Sequence, residues 1–194
     1  MSDTELLTAE RFISQRVDMP DGGLWTELAA GRLVHLEPPD AEHGTVVLNL
    51  SKAMADYLQR TDLPLVGYAC FELGLLVTTE PDTIRCPAVS YFTRGERFAE
   101  SGKDFTDERP ALVIEIASTN ERRRGMADRI REYHEWGIES VWLADPIDKM
   151  FHIARRGQPA QRFAEHHTIE DSPILPGFQI TVSKLFAVPH WWRS

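Results

Sequence analysis

One glutamate lies inside an otherwise apolar segment, residues 111–117, and it is the residue of this sequence best placed to do chemistry. A carboxylate inside a buried strand costs several kcal/mol unless it is ion-paired, hydrogen-bonded or bound to a cation. Two interpretations of Glu115 therefore stay open. It pairs with an arginine of the nearby run Arg122, Arg123 and Arg124, or it is a metal ligand.

Arg129 is the second candidate, on the segment that follows Glu115. At a helical turn of about 100° per residue, Met126, Ile130 and Tyr133 share one inward face, and Arg129 lies at its edge. Arg129 is therefore placed to turn toward the sheet, whereas Arg131 points away. The alternative is that Arg129 extends its charged end along the helix to solvent, and the spacing alone favours this alternative.

These two residues need a strand and a helix to position them. The nearly continuous apolar run at 111–117 is typical of a strand covered on both faces. A helix is predicted over residues 119–136, with a capping-box pattern from Ser118 to Glu121 at its start and Gly137 at its end. A short apolar strand follows at 140–144, so the three segments predict a right-handed parallel crossover.

The other segments extend this unit to an α/β fold with a mixed sheet. Helices are predicted at 8–16 and 41–60, and the second is amphipathic. Residues 94–109 are polar and irregular. The predicted strands are a hairpin of 24–28 and 32–36, then 64–70, 73–78 and 83–92, and finally edge strands at 150–154, 161–166 and 179–182, before a last helical turn at 183–186.

Length and composition limit the class of protein. The chain has 194 residues, which favours a single domain. Its net charge of −9 argues against a basic nucleic-acid coat protein but allows one local basic patch. Its two cysteines fit no disulfide or zinc pattern. With no secretory signal in residues 1–10 and no run long enough to span a bilayer, we expect a cytoplasmic protein without membrane contact.

A series of short motifs is spread along the chain: Thr26 to Val34 (TELAAGRLV), Pro38-Pro39 before Glu42-His43, Pro81 to Pro87 (PDTIRCP), Leu112 to Ser118 (LVIEIAS), Tyr133, Gly137, Val141 to Pro146 (VWLADP) and Leu175 to Phe178 (LPGF). In order and spacing they resemble the Uma-two family of restriction endonucleases, within the PD-(D/E)XK nuclease superfamily. The resemblance covers residues 23–186. It implies a restriction-endonuclease-like fold, a mixed β-sheet flanked by helices.

The resemblance also implies a reaction, the hydrolysis of a phosphodiester with Mg²⁺ or Mn²⁺ held by carboxylates and supported by a lysine. On the matching positions, Glu27 and Glu115 are the metal ligands, and they form the catalytic set together with Arg129 at the lysine position. The third ligand position is Ala88, which has no oxygen to offer. An arginine keeps the positive charge but is a poor proton acceptor.

Some neighbouring residues could complete or modify this site. Glu72 or Asp82 could replace the lost acid, and His43 could face the site, although a structural or solvent-facing histidine is the simpler interpretation. Arg122, Arg123 and Arg124, at the start of a helix, could hold a nucleic-acid phosphate. A solvated charged turn explains the same run equally well.

Three functional hypotheses follow. The favoured one is a relative of the nucleases with an impaired or inactive site, retained for binding nucleic acid or a protein. The second is an active Mg²⁺-dependent DNA endonuclease that uses Glu27 and Glu115. The third is a structural or regulatory homodimer with no nucleic-acid role. The cofactor is Mg²⁺ or Mn²⁺ if the protein is active, and none otherwise.

Overall fold

The structure is a computed structural model of the chain and describes residues 6–60, 67–171 and 173–192. Its helices are α1 (Ala9–Arg16), α2 (Ala41–Leu58), α3 (Asn120–Trp136) and α4 (Val182–Leu185), with 3₁₀ turns at Pro20–Gly23 and His190–Trp192. Its strands are β1 (Thr26–Ala29), β2 (Arg32–His35), β3 (Tyr68–Phe71), β4 (Gly74–Thr78), β5 (Thr83–Arg85), β6 (Val89–Phe92), β7 (Phe105–Thr106), β8 (Leu112–Ile116), β9 (Ser140–Asp145), β10 (Met150–Arg155), β11 (Gln161–Phe163), β12 (Thr168–Asp171) and β13 (Leu175–Thr181). Within those residues, no helix combines the length and the apolar character needed to cross a bilayer.

A six-stranded sheet with the order β11-β10-β9-β8-β6-β3 forms the centre. Strands β8 and β9 are parallel and are joined by α3, so the predicted parallel strand-helix-strand connection is confirmed. The other neighbours in this sheet are antiparallel. The prediction that residues 150–154 form an edge strand is wrong, because β10 lies between β9 and β11.

A second sheet has the order β2-β1-β5-β4-β7, and a third consists of β12 and β13. The predicted N-terminal hairpin is present as β1 and β2. Its turn places Ala30 at φ 48° and Gly31 at φ 73°, in the left-handed region. A side chain at Gly31 would bring a Cβ within 2.7 Å of the Leu6 Cβ, so this position requires glycine. The short strand β7 lies in the segment that was predicted to be irregular.

Residues 83–92 do not form the single strand that their composition predicts. They form β5 in the five-stranded sheet and β6 in the six-stranded sheet, with a break at Cys86, Pro87 and Ala88. Proline has no N–H to donate to a ladder, so a continuous strand cannot pass through Pro87. The chain changes sheet at this break. Part of the strand predicted at 64–70 falls outside the described residues.

Helices lie on both faces of the six-stranded sheet. Leu112, Ile114 and Ile116 of β8 join the core with α2, whereas Val113 joins the core that contains Tyr133 of α3. Because side chains alternate along a strand, Glu115 shares the face of Val113 and points toward α3. The predicted α/β class, with mixed sheets and flanking helices, is confirmed. Thr119 caps α3, rather than the Ser118 that the capping-box pattern indicates.

Candidate functional site

Glu115 is buried, with 2% of its surface exposed, and its carboxylate meets two residues of α3. The Arg129 Nε donates to Glu115 Oε1 at 2.6 Å, and the Tyr133 hydroxyl donates to the same oxygen at 2.6 Å. The charge of Glu115 is therefore balanced from the face of α3 that packs on the sheet. Its ion pair is with Arg129, not with the arginine run at 122–124.

Glu27 lies on β1 of the other sheet and is 1% exposed. Its Oε2 accepts from Arg129 Nη1 at 2.8 Å and from Arg85 Nη1 at 3.2 Å. Its Oε1 accepts from Arg129 Nη2 and, at 2.7 Å, from the backbone N–H of Cys86. Both oxygens are therefore fully engaged. Burial by itself raises the pKa of Glu27, but Arg129, Arg85 and the Cys86 N–H outweigh it and hold that pKa below 4.5.

The Arg129 guanidinium lies between the two carboxylates and donates to both. It is 9% exposed, so the interpretation in which Arg129 extends to solvent is wrong. Burial favours loss of its proton, but Glu115 and Glu27 outweigh this effect and hold the pKa of Arg129 well above its ordinary value. Arg129 is thus a permanent cation at the point where Glu27 and Glu115 converge.

Arg85 on β5 extends this network, and sequence reasoning missed it. Its Nε and Nη2 donate to the two carboxylate oxygens of Glu132 on α3, at 2.8 and 2.9 Å. A basic residue within a predicted strand, beside Ile84 of the core, was the available signal. The result is a chain of alternating charges, Glu132, Arg85, Glu27, Arg129 and Glu115, that ties α3 to both sheets.

Ala88 borders the same site but offers it no polar atom. It is 5% exposed, packs in the core with α2, and lines a cavity of about 330 Å³ together with Glu27 and Glu115. Of the two acids considered as substitutes, Glu72 also lines this cavity, and its N–H donates to the Ala88 carbonyl at 3.4 Å. Asp82 is engaged elsewhere, since it accepts from the Ala9 N–H at 2.7 Å at the start of α1. The described residues contain no group of three or more His, Cys, Asp or Glu side chains arranged to hold a metal ion.

The arginine run does not form one surface. Arg122 lines the cavity and donates to the Glu37 carbonyl at 3.1 Å. Arg123 pairs with Asp145 at 3.0 Å and with Asp148, while Arg124 is exposed. Among these three side chains, only that of Arg122 is brought to the cavity.

His43 also lines the cavity and is 6% exposed, so it is not a solvent-facing residue. Burial lowers the pKa of His43 to about 4, and the nearby charge of Arg122 adds to this effect. His43 is therefore neutral at physiological pH. Trp25, Phe71 and Lys103 are among the lining residues that sequence reasoning missed, because no local pattern relates them to Glu115.

The mixed sheets, the flanking helices and the paired buried carboxylates define an α/β protein of nuclease-like architecture. The chain belongs to the Uma2 family, described as "Putative restriction endonuclease", which matches residues 14–183. Its fold is that of "a putative nuclease belonging to DUF820 from Anabaena variabilis", with a TM-score of 0.73 and 17% identity, over 93% of this chain and 97% of that chain. No curated protein matches the sequence. The family resemblance and the fold class inferred from the sequence are thus confirmed.

Proposed function

We propose that this chain is a nuclease-fold protein that binds nucleic acid and does not hydrolyse it through a bound metal ion. One observation carries the proposal. The Arg129 guanidinium donates to Glu27 and to Glu115, the two carboxylates to which the family resemblance assigns the metal. A fixed organic cation supplies the positive charge that these carboxylates would otherwise draw from a metal ion.

The donor set does not fit Mg²⁺. This ion requires oxygen ligands in a near-octahedral arrangement at roughly 2.0–2.1 Å. Both oxygens of Glu27 and Oε1 of Glu115 already accept two hydrogen bonds each. Ala88 supplies no oxygen at the third position, and the charge of Arg129 would repel a divalent cation placed beside it.

Arg129 also cannot perform the proton transfer that a lysine would support at this position. A guanidinium stays protonated in proteins, and the two carboxylates strengthen this preference. The site therefore offers no free donor set for a metal ion that would activate water, and no proton acceptor at the position of Arg129. These two deficits support a binding role rather than a hydrolytic one.

Nucleic acid as the ligand is supported by the family and by the cations of the cavity. Arg16, Lys103 and Arg122 come from three separate segments and all line it. Phosphate contacts from lysine and arginine supply most of the affinity of proteins for nucleic acid without base recognition. These three cations line the cavity together with Glu27, Glu115 and two further acids, Glu72 and Asp104.

Calorimetric titration of the protein with MgCl₂ and MnCl₂, together with cleavage assays on plasmid and single-stranded DNA, tests the proposal. We expect no saturable metal binding below millimolar concentration, no cleavage, and a salt-dependent mobility shift of DNA. The double variant Ala88→Asp/Arg129→Lys restores a third oxygen ligand and should gain metal binding, unlike the control Ala55→Asp/Arg131→Lys on exposed helix positions. Metal-dependent cleavage by the unmodified protein that is lost in Glu115→Gln would overturn the proposal.

A further inference from the structure

Most residues that line the cavity near Arg129 do not belong to the charge network. Of the network residues, Glu27 and Glu115 line it. Its volume of about 330 Å³ lies at the low end of the range for small-ligand pockets. A cavity of this size accepts one small ligand and not the width of a duplex. Glu27 and Glu115 form the part of its wall that is already neutralised, so the remaining wall decides what the cavity binds.

The helical side of this wall contains polar atoms without partners. His43 lies in the first turn of α2 and Arg122 in the first turn of α3. Among the described residues, nothing hydrogen-bonds to His43 Nδ1 or Arg122 Nε, although both atoms are buried and both residues line the cavity. Buried polar atoms in native proteins are generally paired, so two such atoms on residues that line the cavity, His43 and Arg122, indicate a partner that is not part of the chain.

A phosphate group matches the chemistry of this side. Its oxygens can accept from the Arg122 N–H and from His43 in the tautomer that carries its proton on Nδ1. The start of α3 contributes as well through the positive end of its helix dipole, which the acidic Glu121 of the first turn partly offsets. The start of α2 contributes less, since the Asp40 carboxylate already accepts from the His43 N–H at 2.8 Å.

The strand side of the wall differs in character. Trp25 and Phe71 line it, and Phe71 is 41% exposed although it is a large apolar residue. Aromatic side chains of this kind are stacking platforms for unpaired bases. Glu72 and Asp104 lie on the same side, near β4 and β7, and would repel a phosphate while accepting from base amino groups. The lining residues thus include groups from α2 and α3 that can bind an anion and aromatic side chains that can stack on a base.

We propose that this cavity holds a single unpaired nucleotide, with its phosphate against His43, Arg122 and the start of α3 and its base against Trp25 and Phe71. The inference rests on the proposed function and specifies the ligand: one nucleotide that is free in solution or unpaired in a strand. A fully paired duplex cannot place a base in the cavity.

Binding assays with a set of matched ligands test this inference. Adenosine 5′-monophosphate, adenosine and inorganic phosphate are titrated by calorimetry, and a fluorescent 12-mer single strand and the corresponding blunt duplex by anisotropy. We expect saturable binding of the monophosphate, at least tenfold weaker binding of adenosine and of phosphate, and at least tenfold weaker binding of the duplex than of the single strand. Tighter binding of the monophosphate than of the strand assigns the site to free nucleotides, and the reverse assigns it to strands.

Two variants locate the ligand. Arg122→Gln should weaken the monophosphate at least tenfold and adenosine little, whereas Phe71→Leu should weaken both. The controls are Arg124→Gln, two positions further along α3 and exposed, and Phe98→Leu, an exposed aromatic outside the cavity. Unchanged thermal unfolding confirms that the variants fold. The imidazole ¹⁵N signals of His43 should move on addition of the monophosphate and not of adenosine.

The possible failures are distinguishable. Nucleic-acid binding that is equal for single strand and duplex, or equally affected by Arg122→Gln and Arg124→Gln, overturns the assignment of this cavity and leaves the proposed function standing. Absence of binding to every nucleic acid and nucleotide overturns both.

Discussion

Arg129 and Glu27 are 102 positions apart in the sequence, and their side chains form a two-pronged ion pair in the interior of the protein. The planar guanidinium matches the carboxylate with two parallel hydrogen bonds, a geometry that lysine cannot provide. Its third contact, from Nε to Glu115, reaches a strand of the other sheet. One side chain of α3 therefore links the five-stranded sheet to the six-stranded sheet.

Removal of the Arg129 cation should lower the free energy of unfolding. Arg129→Met keeps much of the side-chain volume but leaves Glu27 and Glu115 buried without their main counter-charge. Breaking a buried pair in this way lowers the free energy of unfolding by about 3–5 kcal/mol. Urea unfolding at pH 7.5 measures the loss, and Arg131→Met on the exposed face of α3 is the control, with an expected change within about 0.5 kcal/mol. A similar small change for Arg129→Met would contradict the role of this residue as the internal counter-ion.

The hydroxyl of Tyr133 supports the same site. Tyr133→Phe removes the hydrogen bond to Glu115 Oε1 and leaves the ring packing in place. A hydrogen bond to a buried charged group contributes about 1.5–3 kcal/mol, so we expect a loss in that range. The matched control is Tyr57→Phe, whose hydroxyl donates to the neutral Pro176 carbonyl at 3.3 Å and should contribute about 1 kcal/mol or less. Equal losses for the two variants would show that Glu115 does not depend on this hydroxyl.

Because folding lowers the pKa of Glu27, the free energy of unfolding should depend on pH in the acidic range. The unfolded chain takes up a proton near the ordinary pKa of 4.5, whereas the folded chain resists until a lower pH. The contribution of Glu27 is therefore fully present above 4.5 and is lost as the pH falls through its folded-state pKa. Urea midpoints measured between pH 7 and pH 3 should fall steeply for the unmodified protein and less steeply for Glu27→Gln. If the urea midpoints of the two proteins fall equally with pH, the acid dependence arises from groups other than Glu27.

Part of this site could be predicted from the sequence, because the local periodicity of apolar residues indicates it. The apolar run around Glu115 identified a buried carboxylate, and helical spacing placed Arg129 at the edge of the inward face of α3. The spacing could not decide whether the long side chain of Arg129 turns toward the sheet or toward solvent. That choice depends on Glu27, which approaches from another sheet and contributes nothing to the pattern of α3.

The remaining parts of the site required the tertiary structure. The switch of sheet at Pro87 brings Arg85 and the Cys86 N–H to Glu27, and a local pattern of apolar residues at 83–92 does not reveal it. The cavity is likewise assembled from separate segments that include His43, Phe71 and Arg122. Glu72 reaches it in a left-handed conformation, at φ 53°, which composition does not predict for a glutamate.

The thiol of Cys86 should be inert although the residue lines the cavity. Burial raises its pKa to about 12, and the charge of Glu27 adds to the effect, so thiolate is almost absent at pH 8. We expect an aromatic disulfide reagent to label the folded protein over hours and both cysteines within minutes in 6 M guanidinium chloride. Cys70→Ser leaves Cys86 as the only thiol and isolates its rate. Labelling of folded Cys70→Ser within minutes would contradict a Cys86 thiol that stays protonated at pH 8.

His43 provides a second pH-dependent contribution, with its own range. Its pKa in the folded protein is about 4, against 6.5 for an ordinary histidine, because burial and then the charge of Arg122 disfavour the imidazolium. The unfolded chain takes up this proton first, so the stability due to neutral His43 is complete above pH 6.5 and declines as the pH falls from 6.5 to 4. Imidazole NMR signals followed from pH 8 to pH 3.5 should show His43 unprotonated at pH 6. In Arg122→Gln the pKa of His43 should rise, because one of its two causes is removed while burial persists. If His43 titrates above pH 6, or if its pKa does not change in Arg122→Gln, then the charge of Arg122 does not act on His43, and α2 and α3 are not linked electrostatically through these residues.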